Sequence, residues 1–173
     1  MSDAAMPTPD GCTPTPRKKI RSAERVRSFL EIHGLAEEIV TFEKSTKTAQ
    51  MAADAMGCEL GQIVKSLVFR AGDSVVLALV AGDRRGDGDA IAEIAGAAEA
   101  HFADAETVRA ATGYAIGGVS PFDLPPGLTV LADDSLGRFE VVYPAAGTPS
   151  AMVPIPLVRL LELSGARVAR ISQ

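Results

Sequence analysis

A single ammonium group stands in the most apolar run of this chain. The run is GQIVKSLVFR, residues 61–70, and the group belongs to Lys65. Ile63, Val64, Leu67, Val68 and Phe69 are strand formers. On a strand, Lys65 shares a face with Ile63, Leu67 and Phe69, while Val64, Ser66 and Val68 take the other. A lysine there must escape to solvent or meet an anion, because a lone buried charge is costly. Lysines on edge strands guard against aggregation, but flanks this apolar suit a covered strand better. The residue types point to a pocket lysine aimed at a phosphate or a carbonyl oxygen.

A second stretch, GYAIGGVSPFDLPPG (113–127), cannot be a regular strand. Gly117 and Gly118 free the backbone for close approach to a ligand or for positive φ. Such a loop can turn N–H groups inward as a cradle for an anion or a carbonyl. Taken alone, the motif reads better as a plain tight turn. AAGTPSAMV (145–153) is another small-residue loop. Other chemistries find little support. His33 and His101 are the only histidines and read as surface residues. No serine lies in a GxSxG elbow. Cys58 follows Gly57 at a helix end, where the dipole would not activate a thiol, and reads as a small apolar filler. Cys12 and Cys58 form neither a CxxC pair nor part of a metal cluster. DRRGDGD (83–89) lacks the spacing and closing Glu of a calcium loop and reads as a polar surface loop.

Local signals arrange the elements around these stretches. Ser22 is placed to cap a helix carrying Val26, Phe29, Leu30 and His33, which Gly34 stops. EEIVTFE (37–43) alternates as a short strand. Thr46 or Thr48 can cap the next helix, with Ala49, Ala52, Ala53 and Met56 on one face and Gly57 at its end. Strands over 62–70 and 74–82 flank Gly72-Asp73, a hairpin signal. Short helices follow at Ala90–Ile94 and Ala105–Ala111. Strands read at 128–133, 139–145 and 150–155, with Gly147-Thr148-Pro149 turning between the last pair. Pro156 opens a helix through Leu163, and ARVARIS closes the chain as a strand. Helices and hairpins mix without a βαβ repeat. That implies a single compact α/β domain with a mixed, mostly antiparallel sheet and helices around it.

The 173 residues suffice for one ordinary domain with a real core. Hydrophobic residues are 47%, charged residues 23% and aromatics 5%, so the core must be built of Ala, Val, Leu and Ile. Net charge is −5, which disfavours a long nucleic-acid footprint. Any contact with nucleic acid should be small and use local basic groups. The candidates are Arg17, Lys18, Lys19, Arg21, Arg25 and Arg27, although a solvated tail leading into a polar helix face is the better reading of them. Residues 1–19, with Pro7, Pro9, Pro14 and Pro16, read as a flexible tail, and 20–173 as the folded domain. Unpaired thiols and the absence of a long apolar run suit a cytoplasmic protein with no membrane contact.

Lys65 in IVKSLVF, then GYAIGGVSPF, then AAGTPSAMV ahead of the PIPLVRLLEL helix resemble, in this order, the YbaK/EbsC-type aminoacyl-tRNA deacylases. These are free-standing relatives of the prolyl-tRNA synthetase editing domain. The resemblance runs from about Ser22 to the end and includes STKTAQMAADAMGCELGQIVKSLVF. It implies a barrel-like sheet and hydrolysis of the ester joining a wrong amino acid to tRNA, typically tRNA(Pro). The family's lysine matches Lys65, and its GxxxP loop matches Gly117 to Pro121 through Gly118, Val119 and Ser120. Its later small-residue loop matches Ala146, Gly147 and Pro149. Lys65, Gly117 and Gly118 are thus the implied catalytic groups. Thr46, Lys47, Ser66, Val119, Ser120, Pro121, Ala146, Gly147 and Pro149 are candidate substrate contacts. No metal or cofactor is implied. The implied partner is the tRNA 3′ end carrying a mischarged amino acid, with prolyl-tRNA synthetase as a further candidate. The histidine that some members carry in the later loop has no counterpart in 143–153. A binding module that holds such an end without hydrolysing it is the competing reading.

Overall fold

The computed structural model describes residues 22–173. The 1–19 tail, Cys12 and the basic residues from Arg17 to Arg21 lie outside them. Helix α1 (Ser22–Ile32) buries Val26 and Leu30, and Gly34 leaves it at φ +74°. The stretch 37–43, expected as one strand, is a 3-10 turn at Ala36–Glu38 followed by the two-residue strand β1 (Val40–Thr41). Both residues of β1 are exposed, so the alternation has no core to bury against. Helix α2 (Ala49–Met56) is capped by Thr48, whose hydroxyl accepts the Met51 N–H at 3.1 Å. Gly57 ends it in the left-handed conformation.

Strands β2 (Ile63–Ala71) and β3 (Ser74–Ala81) form the central hairpin. Gly72 turns it at φ +60°, the positive angle a II′ turn needs at its first central residue. Helix α3 (Gly88–Ala95) starts under Asp87, and α4 (Ala105–Thr112) starts under Asp104. Between them lies β4 (Ala100–Phe102), in a segment that reads as an Ala-rich connection. Pairing with β2 makes it a strand, and Phe102 stacks on Phe69 at 4.6 Å. Then come β5 (Thr129–Asp133), β6 (Val141–Pro144), β7 (Ala151–Met152) and β8 (Ile155–Pro156). The strand expected over 150–155 is split into β7 and β8 around Pro154, which has no N–H to donate. Helix α5 (Leu157–Ser164) and β9 (Arg167–Ala169) complete the chain.

The main sheet runs β8-β6-β2-β3-β5-β9, with β4 beside β2, and β1 pairs β7 apart from it. Antiparallel ladders join β2 to β3 and β4, and β6 to β8. Parallel ladders join β2 to β6, β3 to β5, and β5 to β9. The result is one α/β domain with a curled, mixed half-barrel sheet. Val64, Val68, Leu77 and Leu79 face a core closed by Tyr114, Phe122, Leu136 and Leu160. On the opposite face, Phe69, Val76, Ala78 and Val80 pack against Ile91, Leu131 and Ile171. Each large side chain so buried contributes about 1.5–3 kcal/mol. The hairpin is covered on both faces and makes a rigid platform.

Candidate functional site

The platform has one opening in its edge. Gly82 donates its N–H to Ile63 O at 2.8 Å. The odd-numbered residues of β2 therefore exchange hydrogen bonds with β3, and Val64, Ser66 and Val68 direct theirs to the other edge. On that edge β6 covers only Ile63–Val64, while β4 covers Phe69–Ala71 and Ala103 N–H reaches Val68 O at 2.9 Å. Ser66 falls in the gap, with no strand partner there among the described residues. Its Oγ is shut away from solvent and has no hydrogen-bond partner. A cleft of about 300 Å³ lies at this gap, between Thr46–Ala49 and Ala52 on one side and Ile116, Gly117 and Val119 on the other. Ser66 thus presents a backbone donor, a backbone acceptor and a hydroxyl at one place. Unmet buried polar groups cost about 1–3 kcal/mol each, so the gap is prepared for a polar ligand.

Lys65 lines the same cleft from the other face of the strand. Its Nζ donates to the backbone carbonyl of Arg84. A neutral carbonyl is a weak partner for an ammonium, so the group is held but not neutralised. Burial pushes its pKa below the ordinary lysine value, Asp83 pulls it up and Arg85 pushes it down. Asp83 is itself occupied, accepting from Arg138 at 2.8 and 2.7 Å, and that pairing holds its carboxyl below the usual range. Lys47 also lines the cleft and is exposed. Among the described residues no acidic side chain lines it, so the charged groups at its wall are Lys47 and Lys65.

The glycine loop stands opposite Ser66. Gly118 donates its N–H to Ala115 O at 3.0 Å, closing a turn in which Gly117 has φ +90°. A side chain is strained at that angle, which explains the glycine. Ile116 at the tip is 61% exposed. Both ends of the loop are fastened by Arg25 of α1. Its Nε reaches Asp123 Oδ2 at 3.1 Å, and its other nitrogens donate to Asp123 O at 2.8 Å and Gly113 O at 3.3 Å. The guanidinium lies 4.7 Å from the centre of the Tyr114 ring. Tyr114 donates its hydroxyl proton to Phe122 O at 2.6 Å, and burial pushes its pKa to about 12. This bracing holds Asp123 at φ +51°, unusual for a residue with a side chain.

The structure divides the sequence candidates into groups. Thr46, Lys47, Lys65, Ser66, Gly117 and Val119 line the cleft together. Pro149 stands just behind Gly117, and its carbonyl accepts both the N–H and the hydroxyl of Thr46, at 3.0 and 2.7 Å. Gly118 lies away from the cleft wall, against the backbone of Gly147 and Thr148. Its φ is not positive, and its N–H is spent inside the loop. Gly147 has φ +92° and packs on Ser22. Ser120 and Pro121 are buried, with the Ser120 hydroxyl accepting from Phe122 N–H at 3.4 Å. Ala146 faces a different recess beside Ala23 and Arg27. Leu67, Ile116 and Ala145 also line the cleft without a signal in the sequence, and so does Thr48, which the sequence marks only as a helix cap. His101 is exposed beside Glu99, His33 stacks on Phe29, and burial pushes the Cys58 thiol up.

Residues 43–163, which contain the whole cleft, match the family described as the aminoacyl-tRNA editing domain. The chain belongs to that family. It is 34% identical over 148 residues to the uncharacterized protein YwhH of Bacillus subtilis, covering 85% of this chain and 94% of that one. It is 32% identical over 129 residues to the multifunctional Ser/Thr-tRNA deacylase ProXp-y of Escherichia coli K12, covering 72% of this chain and 77% of the relative. A solved structure named as a candidate trans-editing enzyme for prolyl-tRNA synthetase superposes with a TM-score of 0.80 at 40% identity. That superposition covers 88% of this chain and 97% of the other. The barrel-like editing-domain fold that the resemblance implied is therefore the fold observed. Among the described residues, no helix is long and apolar enough to cross a membrane.

Proposed function

We propose that this editing domain is an aminoacyl-tRNA deacylase that removes a small, mischarged amino acid from tRNA(Pro). The observation that carries the reading is the gap in the β2 edge, where Ser66 faces the Gly117 turn and Lys65 supplies positive charge. In this reading the Lys65 ammonium exchanges the Arg84 carbonyl for a phosphate or carbonyl oxygen at the tRNA 3′ end. Ser66 and the glycine turn hold the aminoacyl group between them. Water adds to the ester carbonyl, the tetrahedral oxyanion is stabilised by backbone N–H groups and Lys65, and the C–O bond to the ribose breaks. The proton lost by the water ends on the ribose oxygen. A neighbouring ribose hydroxyl assists the water, which accounts for the lack of a histidine in the cleft.

The substrate class has support from several directions. The walls Ala52, Val64, Val119 and Ala145 admit a small side chain. The unpaired Ser66 hydroxyl favours an amino acid that can hydrogen-bond, and a relative bears the name Ser/Thr-tRNA deacylase. Proline–tRNA ligases of Lactobacillus helveticus and Thermoanaerobacter share 30% identity with this chain over 100 and 106 residues, which is 18% of each ligase. That supports tRNA(Pro) as the carrier and prolyl-tRNA synthetase as the partner. The test is a deacylation panel of tRNA(Pro) and other tRNAs charged with Ala, Ser, Thr, Cys and Pro. Multiple turnovers with Ser- or Thr-tRNA(Pro), and none with Pro-tRNA(Pro), are expected. Stoichiometric protection of the ester without release would establish a binding module instead.

A further inference from the structure

The segment Asp83–Asp89 reads in sequence as a polar surface loop, with three aspartates and two arginines. The structure uses its acids internally. Asp83 is clamped by both terminal nitrogens of Arg138. Asp87 caps α3, accepting from Asp89 N–H at 3.0 Å and Ala90 N–H at 3.3 Å. Arg84 and Arg85 are left exposed, and neither lies within ion-pair distance of an acid among the described residues. Asp89, exposed on the first turn of α3, is the remaining acid of the segment.

The position of these arginines is tightly held. The Arg84 carbonyl accepts Lys65 Nζ, so the pair borders the cleft. Arg85 exchanges backbone hydrogen bonds with Gln173 at 3.3 and 2.9 Å, and Asp87 N–H donates to Ile171 O at 2.8 Å. The final residues are fastened in turn by the buried Asp133 carboxylate, which accepts from Ile171 N–H at 2.9 Å and the Ser172 hydroxyl at 2.8 Å. Two exposed arginines thus stand together on a braced loop of a chain of net charge −5, and the acid that Arg84 acts on, Asp83, is already held by Arg138. The Arg85 charge also reaches Lys65, so the positive charge of the pair adds to that of the cleft lysine.

We propose that Arg84 and Arg85 form a docking surface for the RNA phosphate backbone next to the aminoacyl end of tRNA. This rests on the deacylase reading above. Guanidinium groups bind phosphate through paired N–H donors, and a small local patch lets an acidic protein hold one segment of RNA. Each phosphate contact releases condensed counterions, so binding must weaken with salt.

The test uses the full chain and bulk uncharged tRNA, with dissociation constants measured across a salt series. Arg84→Ala/Arg85→Ala should bind about tenfold more weakly at low salt, and the slope of log affinity on log salt should flatten by roughly 1 per arginine engaged. Arg84→Lys/Arg85→Lys should recover most of the affinity. Arg109→Ala, at an exposed position of α4, whose Thr107 and Ala110 stand beside Arg70 of β2, should leave both quantities unchanged. Urea unfolding checks that each variant is folded. An unchanged slope in the double Ala variant, or an equal loss on Arg109→Ala, overturns the proposal. A wild type that shows the slope change but cleaves no charged tRNA would sink the deacylase reading alone.

Discussion

Replacing Gly118 by Ala tests whether the spacing between two loops sets activity. A Cβ on Gly118 would lie 3.1 Å from Gly147 O, 3.2 Å from Thr148 Cα and 3.4 Å from Gly147 C. All three are backbone atoms and cannot swing aside as a side-chain tip can. Nor can Gly147 retreat. A Cβ built on it would sit 2.5 Å from Ser22 O, which shows how closely α1 lies behind it. The displacement must pass into the Ala115–Gly118 turn and shift Gly117 and Val119 at the cleft wall by a few tenths of an ångström. Overpacking of this kind costs about 1–3 kcal/mol of stability. Misplacing groups that position a reacting ester costs more in rate, and a fall in kcat/KM of roughly tenfold to a hundredfold is expected. Gly127→Ala is the comparison. Its Cβ meets open space, but φ is +86°, so it should cost about 1–2 kcal/mol of stability and leave kcat/KM alone. The measurement is deacylation kinetics beside urea unfolding for both proteins. If Gly118→Ala loses stability and keeps full kcat/KM, loop spacing is irrelevant to the reaction and the argument fails.

Lys65→Ala should lose about 2–4 kcal/mol of transition-state stabilisation while unfolding normally in urea; near-normal turnover by the folded variant would remove Lys65 from the reaction. Because burial lowers the Lys65 pKa, the wild-type enhancement over spontaneous ester hydrolysis should decline as pH rises through a value below that of free lysine, where the ammonium deprotonates; a flat enhancement to pH 10.5 and beyond would contradict this. Arg25→Ala should raise hydrogen exchange across 113–123 and lower kcat, with Arg25→Lys rescuing only in part because one ammonium cannot reach all three acceptors; unaltered exchange in the Ala variant would show that the loop holds itself. Asp133 is penalised by burial, yet donors from Ser135, Ile171 and Ser172 outweigh that and hold its carboxyl below the ordinary aspartate range. Its contribution is therefore present above the unfolded carboxylate pKa and lost as pH falls through the folded value. Asp133→Asn should cost about 2–3 kcal/mol near neutral pH, and the gap from wild type should close in acid; a constant gap in chemical denaturation would refute the assignment.

The residue pattern by itself carried the hairpin, because apolar runs on both sides of Gly72-Asp73 leave a turn as the economical solution. It also singled out Lys65, since an ammonium among strand formers is a local contradiction that no surface role explains well. Caps and stops such as Thr48, Gly34 and Gly57 are equally local, and the helices they bound stand within a residue or two of where their signals lie. The elements that went unread have non-local causes. Strand β4 exists because β2 offers it an edge, and Val40–Thr41 is short because nothing covers it. Gly118 looked like a positive-φ residue beside the ligand. Only the folded chain shows that its smallness serves the Gly147 backbone, contributed by a segment distant in sequence. The same holds for Arg25, an unremarkable helix residue until packing brings Asp123 and Gly113 to it. The opening at Ser66 is the clearest case. Its sequence makes it an interior strand residue, but which backbone groups face the gap depends on hairpin register and on where β6 and β4 stop. Those are properties of pairing between segments, and a strand carries no mark of the neighbours it will lack.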